Sequence, residues 1–195
     1  MTVMGAYGLA AHAELQKSTV KTKLGFIKEA CVSKKAAVGD VFLIPLDEGR
    51  NGLGQLAGDW NGELYVVIYD KVVSDAASPA DVDNQPLQFA ALTLDAKLHH
   101  GDWRIIGNRK QNIETIPQPW FKVGVEGQTY VEARDRSVTR PATATESAAL
   151  RLRTVVAPVR LENALKALHG IGEWQPRFDE LRASYAKESA DLIRH

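Results

Sequence analysis

Reactive side chains must lie close together to do chemistry, and this 195-residue sequence offers few such places. His99 and His100 are adjacent, but neighbours on a strand or turn point in different directions, so one metal rarely takes both. No third ligand stands at metal-site spacing and the single cysteine, Cys31, is remote, so the pair reads as a solvent-facing turn and no metal is expected. Cys31 itself, between Ala30 and Val32, has nothing beside it that would lower a thiol pKa. The run Gly52–Gly58 (GLGQLAG) has the glycines of a phosphate loop without the context. Such a loop needs a helix N-terminus facing the phosphates, and here a turn and another strand follow. Carboxylates pair at Asp47 with Glu48 and at Asp59 with Glu63. General acid–base work needs two carboxylates in separated environments within a cleft, whereas turn carboxylates are ordinarily solvated. The sequence therefore predicts no catalytic residues and no cofactor. Trp60, in the turn Asp59-Trp60-Asn61-Gly62, is either folded back as a lid on the core or exposed as an anchor for a partner.

Composition narrows the class. A 45% hydrophobic chain with 15 Gly and 8 Pro is neither disordered nor collagenous, and one cysteine excludes a disulfide framework. The formal charge is zero, from 24 basic and 24 acidic residues, which argues against a general nucleic-acid binder. That zero hides an asymmetry: residues 1–38 sum to +4, residues 39–102 to −8 and residues 103–195 to +4. Acids gathered on one face would project a negative field that attracts a cationic partner, while acids spread over polar sides would only solvate them. The longest apolar runs, Val41–Leu46 and Leu64–Tyr69, fall far short of the ~20 residues that cross a bilayer. The start also lacks a basic segment followed by an apolar block, so the expectation is a soluble cytoplasmic protein without membrane contact.

Three parts must position whatever surface does the work. Residues 1–38 read as an N-terminal arm or helix, and residues 39–195 as one α+β domain. Strands occupy the stretch to about residue 133. Val41–Leu46 is apolar on both sides, hence central, and ends at Asp47-Glu48-Gly49-Arg50-Asn51-Gly52, where Asn-Gly is strong turn chemistry. Leu53–Ala57 returns, with glycines that suggest a bulge, and Glu63–Asp70 completes a meander. Asp75–Pro86 reads as an exposed loop, and Leu87–Leu94, Trp103–Gly107, Asn112–Ile116, Trp120–Val123 and Gln128–Ala133 as further short strands. So many short strands predict a strongly bent antiparallel sheet or a small SH3-like barrel. Trp103 and Trp120 are expected in its core. Arg134–Thr154 reads as a linker. From Pro158 on, Leu161, Ala164, Leu165 and Leu168 repeat at helical spacing and Gly170 stands where a left-handed cap belongs. Pro176 can start a second helix, which makes a C-terminal helical hairpin packed on the sheet, with Trp174 stapling it down.

The segment Gly39-Asp40-Val41-Phe42-Leu43-Ile44-Pro45-Leu46-Asp47-Glu48-Gly49-Arg50, continuing to Gly52-Leu53-Gly54-Gln55, resembles the opening of the immunity protein 26 family of bacterial polymorphic toxin systems. Trp103–Asn108 with Pro117–Phe121, and Pro158–Gly170, are similar to later parts of the same pattern, so the resemblance spans roughly residues 38–170. It implies a cytoplasmic α+β protein that is no enzyme and that binds and neutralises a cognate toxin domain. Gly39, Pro45 and Gly49 would shape its backbone, and Phe42, Ile44 and Leu46 would fill its core. The opening is also similar to SH3-like toxins of the PemK type, but the acidic block at 39–102 argues against an RNA-cleaving groove. On this reading the partner-binding surface is expected at Asp47, Glu48, Asp59, Glu63, Asp70 and Asp75, with Trp60 as anchor. The competing reading is a nucleic-acid-binding small barrel that would use Arg104, Arg109, Lys110 and Lys122.

Overall fold

Strand β1 (Asp40–Asp47) places Phe42, Ile44 and Leu46 on one face and Val41 and Leu43 on the other, and all five are buried. A strand apolar on both sides needs cover on both sides and neighbours on both edges. The structure, a computed structural model describing residues 35–125 and 127–194, supplies both. β1 lies between β2 (Arg50–Trp60) and β5 (Arg104–Asn108) in a six-stranded sheet of order β5-β1-β2-β3-β4-β9. Here β3 is Glu63–Val73, β4 is Leu87–Thr93 and β9 is the two-residue Val155–Val156, which pairs parallel to β4. A second sheet of three antiparallel strands contains β6 (Trp120–Val125), β7 (Gln128–Ala133) and β8 (Thr139–Pro141). The class is α+β, as predicted. The barrel alternative is corrected: the sheet stays open, with β5 and β9 at its edges. β2 carries bulges between Gly52 and Gly54 and between Leu56 and Gly58, which add twist without closing the sheet.

The turns show where local chemistry acted as predicted. Asn61 (φ 50°) and Gly62 (φ 89°) make the β2–β3 turn, the positive-φ pair that suits a two-residue hairpin. The β1–β2 turn does not use Asn51-Gly52. It uses Glu48-Gly49, with Gly49 at φ 71°, and Asn51 and Gly52 are buried inside β2. Tertiary demands override the dipeptide: Asn51 donates to Asp75 at 3.0 Å, and any Cβ on Gly52 would overlap the Leu165 side chain.

Among the described residues four α-helices decorate the sheets: α1 (Ala96–His99), α2 (Ala144–Ala149), α3 (Pro158–Leu168) and α4 (Ser184–Arg194). α3 follows its sequence signals: Pro158 opens it, Leu161, Ala164 and Leu165 are buried, and Gly170 (φ 78°) closes it. Gly170 N–H bonds Ala167 O and Ile171 N–H bonds Lys166 O, the two bonds of a Schellman cap. Three expectations are corrected. Asn112–Ile116 is a 3-10 turn (Ile113–Thr115), not a strand. Pro176 begins a 3-10 segment, Pro176–Leu181, and the second helix starts only at Ser184. The supposed linker holds β8 and α2. Thr143 and Glu146 cap α2 reciprocally, and Arg140 grips the same carboxylate. That Arg140 contact, with the Thr143 N–H, holds the Glu146 carboxyl down at about 2.

The two faces of the large sheet carry separate cores. Phe42, Ile44, Leu56, Val66, Phe89 and Trp103 pack with Leu161, Leu165, Phe178 and Leu181 on one side. Val41, Leu43, Leu53, Tyr65, Val67 and Phe121 pack on the other. Trp103 is buried as expected and stacks on Phe42 at 5.2 Å between ring centroids, whereas Trp120 is only half-buried. Trp174 stacks on Phe89 and meets Phe178 edge-on, so it does fasten the C-terminal segment to the sheet. Within the second core lies a polar knot: Gln55 Nε2 donates to the Arg109 carbonyl at 2.6 Å and to Asn112 Oδ1 at 3.1 Å, and Asn112 Nδ2 donates to Gln55 Oε1 and to Tyr69 Oη, both at 2.8 Å. Burial pushes the Tyr69 phenol up to about 12, so it stays neutral at physiological pH. No helix among the described residues is long and apolar enough to cross a membrane. The expected arm over residues 1–38 falls almost entirely outside the described residues, as does Cys31.

Candidate protein-binding surface

The seven expected partner residues do not form one patch. Asp47 and Glu48 lie at the β1–β2 turn, and Asp70 and Asp75 near the end of β3 that meets it. Asp59, Trp60 and Glu63 surround the β2–β3 turn, at the other end of the 11-residue β2. A strand of that length separates the groups by roughly 30 Å.

The groups also differ in what their charges do. Arg50 Nε donates to Asp47 at 2.8 Å, and this contact holds the Asp47 carboxyl below its usual range. Asp75 accepts from Asn51 and pairs with Arg104 at 3.6 Å. Glu48 and Asp70 are exposed and have no ion pair among the described residues. At the opposite end, Asp59 accepts the Gly62 N–H at 2.8 Å and so serves its own turn. Trp60 lies beneath the Arg136 guanidinium, 3.9 Å from the ring centroid. Glu63 is only 11% exposed and is clasped by Arg153 and Arg136.

That clasp is a structural device missed by the sequence reading. Arg153, 6% exposed, binds Glu63 of β3 and Glu132 of β7, the latter at 2.9 Å, and donates to the carbonyls of Ala133 (3.1 Å) and Arg134 (2.7 Å). It ties the large sheet to the small one. Glu63 and Arg153 stand 90 positions apart, and nothing local to either announces the pair. The acidic block is compensated in the same way elsewhere: Arg104 meets Asp75, and Arg109 takes Asp83 with two bonds, of 3.0 and 2.6 Å. Arginines from the C-terminal part of the chain thus meet three of the block's acids, Glu63, Asp75 and Asp83. The same pairs occupy two of the bases a nucleic-acid reading needs, and Lys122 donates to Ser147 O at 2.7 Å.

Among the clefts formed by the described residues, two concern the surface. A wide one of about 750 Å³ runs past Tyr69, Asp83, Asn112 and Lys187. A narrower one of about 360 Å³ opens at the edge of β4, over Ala90 and Ala91, with Phe121, Leu150, Arg151 and Tyr185 among its walls. His99 and His100 are exposed at the end of α1, as expected of a turn, and no group of three or more metal-ligating side chains occurs among the described residues.

Residues 37–129 match the family model described as Immunity protein 26. The resemblance of the β1–β2 segment to that family therefore holds. The matched Immunity protein 26 span covers β1 to β6 and the first residues of β7, and so contains all seven expected partner residues. It ends well before Pro158–Gly170, which corrects the longer extent of about 38–170 expected from the sequence. Glu132, Arg136 and Arg153 of the clasp, and one wall of the narrow cleft, also lie beyond the span. No curated protein and no solved structure gives a significant match.

Proposed function

We propose that this protein is an immunity protein that binds a cognate bacterial toxin domain and neutralises it by covering its active site, acting in the cytoplasm and turning over no substrate. The observation that carries this reading is the Immunity protein 26 match over the whole β1–β6 framework. A standard interface buries about 1,600 Å² in total, a demand that a rigid sheet with exposed turns can meet. Of the expected residues, Asp47, Glu48, Asp70 and Asp75 are the charged rim in this proposal, because they share one end of the meander and face solvent. Asp59, Trp60 and Glu63 act in the turn and the clasp instead. The nucleic-acid reading loses ground because Arg104 and Arg109 are spent on Asp75 and Asp83.

Rim charges act mainly on encounter rates. Changing Asp47, Glu48 and Asp70 together to Lys is expected to slow association with the toxin domain about tenfold at low salt, and much less at high salt. Stopped-flow association kinetics measure this directly. An unchanged rate at low salt would put the binding face elsewhere. A gel shift at low salt gives the competing result: salt-sensitive retention of nucleic acid by the protein alone would favour the nucleic-acid reading.

A further inference from the structure

We propose that the narrow cleft at the β4 edge is where the toxin is anchored, and that it receives an apolar side chain flanked by a carboxylate, with Arg151 as the carboxylate's partner. The inference rests on the immunity reading and deepens it by naming the chemistry of the contact.

The cleft exists because the sheet edge is interrupted. β9 covers β4 only at Leu92 and Thr93, and a single bridge from Arg182 covers Phe89. Between them lie Ala90 and Ala91, whose methyl groups leave the space unfilled. The floor is apolar, formed by the buried Leu92, Phe121, Leu150 and Leu181. A volume of about 360 Å³ is at the small end of ligand pockets and fits a large side chain.

Of three cations in the walls, Arg182 pairs with Asp179 at 3.8 Å and the other two have no carboxylate partner among the described residues. Arg151 Nη1 donates to the Glu180 carbonyl at 2.8 Å and Lys122 Nζ to the Ser147 carbonyl, and neither meets a carboxylate among the described residues. The acid in the wall, Glu180, directs its carboxylate to Arg160 instead. A cation over a desolvated apolar floor is the complement of an incoming carboxylate. Arg151 is also held ready. Its guanidinium lies 4.2 Å from the Tyr185 ring centroid, and the Tyr185 hydroxyl is itself fixed, donating to Trp120 O at 2.6 Å and accepting the Arg151 N–H at 3.0 Å. An arginine already stacked loses little freedom on binding.

The surroundings favour a protein occupant over a free small molecule. Leu152, 58% exposed, borders the cleft, and Leu94 and Val155 are exposed on the adjoining strand ends. A pocket ringed by exposed apolar side chains is the form of an interface hot spot. Part of the wall, Leu150 to Leu152 with Tyr185, lies outside the family span, so this contact is suited to telling one toxin from another.

The test uses the full chain and the toxin domain encoded beside it, with association and dissociation followed by surface plasmon resonance. Arg151→Gln is expected to speed dissociation about 10–100-fold with little change in association, and Leu152→Asp, at an exposed site, to weaken binding by repelling the carboxylate. Thermal melts check that both variants stay folded. If the unaltered chain binds and both folded variants dissociate at its rate, the anchoring cleft is refuted and the immunity reading stands. If the unaltered chain does not bind the toxin domain at all, both fall.

Discussion

Replacing Arg153 with Met is expected to cost about 3–5 kcal/mol of folding stability, the range for stranding buried charges by removing their partner. Arg153 is 6% exposed, and its removal leaves Glu63 and Glu132, each 11% exposed, facing one another. It also strips the donor from the Arg134 carbonyl and one of two donors from the Ala133 carbonyl, which keeps the Arg136 N–H at 3.0 Å. Arg136 is no substitute, since it is more exposed and reaches the two carboxylates at only 3.5 and 3.7 Å. Adding Glu63→Gln and Glu132→Gln to Arg153→Met should recover most of the loss, because neutral amides are far cheaper to bury than unpaired carboxylates. Urea unfolding of the single and triple variants measures both. A loss under about 1 kcal/mol for the single change would show that the clasp is effectively solvated.

Phe42→Ala is expected to cost a further large amount, about 3–5 kcal/mol, as for a fully buried aromatic in a core that cannot collapse. Phe42 lies within the sheet, stacked nearly parallel on Trp103 with 3° between the ring planes. Its other side is pressed against Gly54, where any Cβ would overlap the ring. Gly54→Ala alone is therefore expected to destabilise by about 1–3 kcal/mol through overpacking. The two changes share one space, so the double variant should lose less than the sum of the singles. Additive losses in chemical denaturation would contradict this contact.

How much of this was legible follows from where the forces lie. Signals resting on local backbone chemistry were readable: the two-faced β1, the Asn61-Gly62 turn, and α3 from Pro158 to Gly170. The Thr143–Glu146 capping box is an equally local signal and marks the start of α2. What failed to show was long-range. Asn51-Gly52 reads as a turn until Leu165 arrives from α3 to claim the space above Gly52. The acidic block reads as a patch until Arg104, Arg109 and Arg153 fold back onto it. The narrow cleft could not be foreseen, because its walls come from β4, β6, the segment after α2 and the C-terminal helix.

The central claim is binding without turnover, and titrating toxin activity against this protein tests it most directly. Activity should fall in proportion to added protein and vanish at a fixed whole-number ratio, with a complex of that composition seen by light scattering. Loss of toxin activity at a small fraction of that ratio, or full activity in its excess, would contradict the claim.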